Sequence, residues 1–455
     1  MDESRANGHP GALVLNRDRL TAHGLAGLRA DALDVACAGL AACDPGAAVR
    51  RTVSVADGEL RAGDVRWRLP ESGRVVALGA GKATLKIAVA LAEVLGSRLD
   101  GGIVAVRRGE AFRTPPGVAV IEAGHPLPDD ASFRAAQAML DAARGLGECD
   151  LLIACFTGGS SALASLPPAS VSAAEKRELH ELLLAAGIPI AEVNAVRKQV
   201  SAFKGGRLAL AAAPASVLNL TVSDVAGDRL DVLTDPSVQD GSTPEQALAI
   251  LESTGLTERV APSILDHLGG PEAGTPDVSA VEVETTLLVT GATACEAMAA
   301  AAMKRGYEPV VLGIDIEGEA RQLGSSLAAA AIDRPGDGPA MFIGCGGEAS
   351  VALGADGSFG AGGPNQEAAL AAAATLAGHA AAAVFLDTDG SDGGTGLAGA
   401  AVDGATGERA TELGLDLEEA LASHRSGEAV AALGDGIVTG PTGTNVNDLF
   451  AIAVA

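Results

Sequence analysis

Residues 151–163 read LLIACFTGGSSAL. The first six are continuously apolar, and the run stops on Thr157 and two glycines before two serines and small helix formers. A short uninterrupted apolar run bounded by turn residues fits a strand covered on both faces, so this stretch predicts a buried strand, a tight turn and a helix start. Gly158 and Gly159 let backbone N–H groups approach a ligand, and Ser160 and Ser161 are placed to cap the helix that follows. Unpaired amides at such a helix start favour a carboxylate or phosphate. An ordinary strand-to-helix turn has the same pattern, so the chemistry depends on what surrounds it.

Upstream, the chain alternates: strand 74–78, helix 82–95, strands 102–106 and 118–121, helix 131–146. Strands alternating with helices of this length predict an α/β fold with a parallel, doubly wound sheet, whose ligands bind beyond the carboxyl ends of the strands. The first such end is VVALGAGKATLKIA, residues 75–88. Gly79 and Gly81 begin a dinucleotide fingerprint, but Thr84 replaces its third glycine. Gly81-Lys82 begins a P-loop ending, but Val76 and Ala83 replace its first glycine and its hydroxyl. What remains is Lys82 at a helix start, where a cation opposes the helix dipole unless an anion sits between them; a lysine reaching to water is the alternative. In EAGHPLPDD, residues 122–130, His125 reads either as a base or as part of a rigid Pro-flanked loop.

Downstream, NAVRKQVSAFKGGRLA at 194–209 gathers Arg197, Lys198, Lys204 and Arg207 in a chain with 32 basic residues against 58 acidic ones. This is the best candidate for a cationic pocket, and spacings near seven and three predict that one helix face presents Arg197, Lys204 and Arg207 together. A strand at 217–222 then ends in SDVAGD, where Asp224 and Asp228 suit Mg²⁺, which takes one or two protein carboxylates and completes its shell with water and phosphate. Thr243 or Ser242 before Pro244 marks a further helix start. Gly, Pro and small polar residues at 268–280 mark the domain boundary. Beyond it come strands 286–290 and 309–314, helices 292–305 and 318–331, and four glycine-rich polar clusters carrying Glu348, Asn365, Glu367, Asp389, Asp392, Asn445 and Asp448. These read as loops lining a site, with Asp389 and Asp392 as the metal pair.

Composition narrows the class. At 455 residues the chain exceeds one core, so about two or three domains are expected. Apolar residues make up 48% but aromatics only 2%, so the core is built from Ala, Val and Leu. A formal charge of −26 opposes binding to nucleic acid or anionic membrane, and an anionic substrate must be drawn in by a local cationic site. Six cysteines without CxxC spacing argue for a reducing compartment and against a zinc site. With a polar N-terminus and no apolar segment near ~18 residues, the expectation is a soluble cytoplasmic protein.

As a set, GAGKA, EAGHPLPDD, TGGSSAL, NAVRKQVSAFKGGRLA, SDVAGD, GGE (346–348), NQE (365–367), AGAAVD (399–403, with Ala398) and TGPTGTNVNDL (439–449) resemble the glycerate 2-kinase family, two-domain proteins with a MOFRL-type C-terminal domain. Residues 1–20 read as a loose arm, and the resemblance implies a Rossmann-like domain over 21–275, a smaller α/β domain over 281–455, and a site in the cleft between the domains. It implies transfer of the γ-phosphoryl group of ATP, with Mg²⁺, to the 2-hydroxyl of D-glycerate or a related small anionic 2-hydroxy acid; a homodimer is left open. Carried onto this sequence, Lys82, Arg197, Lys204 and Asp224 are the catalytic set. Gly158, Gly159, Ser160 and Ser161 hold substrate; Glu348, Asn365, Asn445 and Asp448 hold the nucleotide; Asp228, Asp389 and Asp392 hold the metal. Departures from the family pattern fall in ligand-facing loops: Gln199 for His, Asp235 for Gly, Pro364 for Arg, and Gly394 and Gly396 for Pro and Asp. They keep two alternatives in view, a homologue with changed chemistry in a specialised biosynthetic pathway and a non-catalytic binding protein for a small anion.

Overall fold

The computed structural model describes residues 13–222, 233–334, 336, 338–347, 349–351 and 360–455. They form two compact units, one of residues 45–288 and the other of residues up to 44 together with 289–455.

The 45–288 unit begins with an antiparallel meander, β1 (Val53–Ala56), β2 (Glu59–Ala62) and β3 (Val65–Arg68). A six-stranded sheet follows: β4 (Val75–Ala80), β5 (Gly101–Arg107), β6 (Val118–Ala123), β7 (Leu151–Phe156), β8 (Ser216–Val222) and β9 (Val283–Val289). Its order is β6-β5-β4-β7-β8-β9, and β6 through β8 pair in parallel. All six residues of β7 are buried, as their unbroken apolar run requires of a central strand. The helix Asp130–Arg144 starts where Asp129 accepts the Ser132 amide (3.0 Å) and the Ser132 hydroxyl accepts the Asp129 amide in return (3.1 Å), a reciprocal cap. Its Ala131, Ala135, Ala136, Met139, Leu140 and Ala143 form the stripe that packs on the sheet. A separate core of Leu179, Leu183, Val193, Val196, Leu251 and Ile264 joins the helices Ala173–Ala185, Ile190–Gln199, Pro244–Ser253 and Pro262–Leu268.

The other unit is a mixed sheet of β10 (Glu308–Gly313), β11 (Ala340–Gly346), β12 (Ala381–Asp387), β13 (Gly399–Asp403), β14 (Gly436–Ile437) and β15 (Asp448–Val454), ordered β10-β11-β15-β12-β13-β14. Only β10 and β11 pair in parallel among its described neighbours. The helices Ala320–Ile332 and Pro364–Leu376 pack against one another over a core centred on Phe385 and Phe450.

The domain bounds read from sequence need correction at both ends. Strand β9 (Val283–Val289) completes the first sheet, so the division falls after Leu288 and not in 268–280. The helix Ala26–Ala42, assigned by sequence to the N-terminal domain, packs on the helix Gly291–Lys304 and on β12 and β15. It is locked there by Arg29, whose fully buried guanidinium donates to Leu20 O (2.6 Å), Asp403 (3.2 Å) and Asp435 (2.7 Å). Asp435 also meets His23 (2.8 Å) and Arg409 (2.7 Å); burial pushes its carboxyl up, but the His23 hydrogen bond and the charges of Arg29 and Arg409 bring it below the usual range. Among the described residues no single helix is long and apolar enough to cross a membrane.

Candidate active site

The chain builds β4, β5 and β6 outward in one direction and then returns to lay β7 on the other side of β4. The carboxyl ends of β4 and β7 therefore flank the topological switch point of the sheet, where open α/β sheets bind ligands. The two turns there are interlocked. Thr157 N donates to Ala80 O (3.0 Å), Lys82 N to Gly158 O (2.9 Å) and Ala83 N to Thr157 Oγ1 (3.2 Å). A Cβ on Gly81 would stand 2.2 Å from Thr157 Oγ1, so the approach tolerates only glycine.

Gly159 has φ +86°, and a Cβ there would lie 3.1 Å from His125 Nε2 and 3.6 Å from Lys82 Cγ. His125, Lys82 and the Gly158–Gly159 turn thus occupy one place. The helix that follows is short, Ser160–Leu163, and starts on Gly159 without a side-chain cap. The expected serine caps are therefore corrected: both serines lie inside the first turn, and Ser161 Oγ is buried without a hydrogen-bond partner among the described residues.

The basic segment does not form one helix. Arg197 lies in the last turn of the helix Ile190–Gln199, Lys204 lies in the connection, and Arg207 opens the helix Arg207–Ala212 after Gly205 and Gly206, which take positive φ (64° and 82°). Tertiary contacts gather the three anyway. Phe203 packs edge-on against Phe156 at the end of β7 (5.8 Å), which sets the connection under the glycine turn. Lys204 Nζ donates to Ala164 O (2.8 Å), directly after the short helix, and Arg207 donates to Lys204 O (2.9 Å) and Gly274 O (2.6 Å). Arg197 is buried and its Nε has no hydrogen-bond partner among the described residues; burial pulls its guanidinium down to about 10. Burial, then the nearby Arg197, pulls Lys204 down to about 7, with Asp235 acting the other way. Asp235 is itself buried and accepts from Ser237 N (2.7 Å), Ser237 Oγ (2.6 Å) and Asn219 Nδ2 (3.1 Å); burial raises its carboxyl. Lys198 is a structural cation, paired with Asp240 at 2.6 Å.

Two members of this cluster escape sequence reading. Lys176 is fully buried and donates to the carbonyls of Val200 and Arg197; His180, equally buried, has neither ring nitrogen partnered among the described residues. Burial and the surrounding cations hold both well below their ordinary protonation ranges. The available signal was a Lys and a His at i, i+4 sharing the apolar stripe of Leu179 and Leu183.

In the second unit, the nucleotide set is partly joined. Asp448 accepts from Asn365 Nδ2 (2.6 Å) and Ala349 N (2.9 Å), while Asn445 Oδ1 accepts the Asn447 amide (3.2 Å) in the neighbouring loop. Asp392, expected from the sequence as a metal ligand, serves as a helix cap in the structure. Its two oxygens accept the Asn365 (3.1 Å) and Gln366 (2.9 Å) amides at the start of Pro364–Leu376, and burial raises its carboxyl to about 6. Asp389 accepts the Ser391 amide (2.7 Å). Glu367, also buried, meets Arg321 Nε (2.9 Å) and His424 Nδ1 (2.8 Å) one turn into the helix that Pro364 opens. Asp224, Asp228 and Glu348 lie outside the described residues. Among the described residues no three His, Cys, Asp or Glu side chains assemble a metal cage.

Two family models match the chain: one described as a domain of unknown function (DUF4147) over residues 31–269, the other the MOFRL family over residues 341–448. A relative from Agrobacterium vitis, provisionally named a hydroxypyruvate reductase, is 40% identical over 397 residues, covering 85% of this chain and 89% of its own. The glycerate 2-kinase of Pyrococcus horikoshii is 34% identical over 418 residues, covering 90% and 93%. The crystal structure of the glycerate kinase of Thermotoga maritima superposes with a TM-score of 0.80 at 33% identity, over 94% of this chain and 100% of that one. With the α/β fold, the two matched regions and near-complete coverage of kinases in agreement, the chain belongs to the glycerate 2-kinase family.

Proposed function

We propose that the protein is an ATP-dependent kinase that phosphorylates the 2-hydroxyl of D-glycerate or a related small 2-hydroxy acid. The observation that carries this reading is the switch-point cluster. Lys82 and the Gly158–Ser161 turn stand together, and Ser161 Oγ and Arg197 Nε are buried without hydrogen-bond partners among the described residues. Buried polar groups left unpaired are costly, and a carboxylate accepting from both would satisfy them. Lys204, next to the same short helix, adds charge when protonated. Lys82 supplies positive charge where phosphoryl oxygens gather, so catalysis is mainly positioning and charge stabilisation. ATP, when bound, supplies the phosphoryl group, and we assign Asn365, Asn445 and Asp448 to its recognition. Mg²⁺ is assigned to the phosphates of the donor and not to a protein cage, in keeping with its usual mode of binding.

Reduction with a nicotinamide cofactor fits less well. Thr84 occupies the third glycine position of the fingerprint, is fully buried, and donates to Cys155 O (2.6 Å), tying its helix to β7. The test is a Mg²⁺-dependent ATP-consumption assay of the purified protein against D-glycerate and a panel of 2-hydroxy acids, with product identified by mass. A phosphorylated 2-hydroxy acid is expected. Folded protein that consumes no ATP with any acid would overturn the proposal.

A further inference from the structure

His125 follows β6, the edge strand, yet its ring lies against the turn after β7, with β5 and β4 ranked between those two strands. The loop 124–129 must therefore cross the carboxyl ends of two strands to bring an imidazole to the glycine turn. Its far end is pinned by several basic contacts. Arg108 pairs with Asp129, and Arg177 donates to Pro128 O (3.1 Å), pairs with Asp130 and stacks 5.1 Å over Phe133. At its near end Gly159 leaves room for the ring that any side chain would push away. His125 is partly buried where it meets the turn.

Resting on the kinase reading, we infer that His125 is the general base of the reaction, taking the proton from the acceptor hydroxyl through Nε2. The acceptor oxygen forms its bond to the γ-phosphorus of the nucleoside triphosphate. The bond from that phosphorus to the β,γ-bridging oxygen breaks, its electron pair leaving with the nucleoside diphosphate. The hydroxyl proton passes to His125 and then to water. The neighbouring Lys82 carries the charge that faces the phosphoryl group, while Asp129 and Asp130, the acids of the same loop, are neutralised by Arg108 and Arg177. An imidazole suits this division of labour, because its ordinary proton affinity lets it take up a proton near neutral pH.

The experiment compares wild type, His125→Asn and His125→Ala in the full chain, with kcat and acceptor KM measured against pH. Expected are a kcat lower by about 10²–10³-fold in both variants, and an acid limb present in the wild-type kcat profile and absent from that of His125→Asn. Acceptor KM should stay within about threefold, and added imidazole should restore kcat of His125→Ala by about tenfold or more. A His125→Asn enzyme within about fivefold of wild-type kcat, or one keeping the acid limb, would overturn the assignment. Should the variants not fold, a wild-type kcat that is flat between about pH 5.5 and 7.5 overturns it without them. Wild type that makes no phosphorylated acid removes the kinase reading itself, whereas active wild type with unaffected variants removes only the role of His125.

Discussion

Replacing Arg29 with methionine tests the assignment of the first long helix. The guanidinium is fully buried and makes three hydrogen bonds, two of them to buried carboxylates. Methionine fills part of the volume but leaves Asp403 and Asp435 short of a cation. Breaking a buried pair from one side costs about 3–5 kcal/mol. Here the loss sits at the lower end, near 3 kcal/mol, because Asp435 keeps His23 and Arg409, and Asp403 keeps the amides of Leu25 (2.9 Å) and Ala405 (2.8 Å). The protein carries its own reporters: the single Trp, Trp67, is in β3 of the 45–288 unit, and the single Tyr, Tyr307, is in the other unit, where its hydroxyl donates to Asp31 at 2.7 Å. In urea, with a slope of about 2 kcal/mol per M, the Tyr307 midpoint should fall by roughly 1.5 M. A Tyr307 midpoint that holds while that of Trp67 falls would place the helix with the 45–288 unit and refute the reasoning.

Three further perturbations follow from buried charge. Lys204 loses its proton near pH 7, so the Kd of the acceptor acid should rise by up to about tenfold per unit above that pH; Lys204→Arg, which stays charged, should flatten the dependence, and a Kd constant from about pH 6 to 9 in wild type would count against any contact with the acid. His180 is held neutral while the unfolded chain takes up a proton near pH 6.5. Its contribution is therefore complete above that value and falls by up to about 1.4 kcal/mol per unit below it; unfolding of His180→Leu should show a shallower acid slope, and an unchanged slope would refute this. Asp392→Ala should cost about 2–4 kcal/mol in thermal or urea unfolding, from a lost cap and two stranded amides, equally with and without Mg²⁺; a loss seen only with Mg²⁺ would return Asp392 to the metal.

The switch-point strands were legible because continuous apolar runs ending on glycine have few other uses in a soluble fold. Thr243 as a cap was legible for a similar reason: its partner, Gln246, is three residues away. What sequence missed depends on distant partners. The helix Ala26–Ala42 is built of Ala, Leu, Val and Cys around most of its circumference, so its pattern predicts burial but not against which sheet. Asp392 caps a helix 26 and 27 residues earlier in the chain, outside the range of any local capping signature. Spacing alone put Arg197, Lys204 and Arg207 on one helix; the two glycines between Lys204 and Arg207 were the contrary signal, and tertiary packing restored the grouping by another route. The meander β1–β3 went unread, since its exposed arginines dilute the short alternation that marks a strand.

The discontinuity of the unit that holds Arg29 sets a problem for synthesis. Arg29 and Asp403 are 374 residues apart. At about 5–20 residues per second, a ribosome delivers the aspartate roughly 20–75 s after the arginine. During that wait the entire 45–288 segment emerges and is able to fold, while Leu33, Val35, Ala36 and Leu40, all buried in the finished protein, have no final partner. The nascent chain therefore carries a bare apolar helix for most of its time on the ribosome. Its yield in a cell should depend on a chaperone that shelters that helix until β12 and β15 are made.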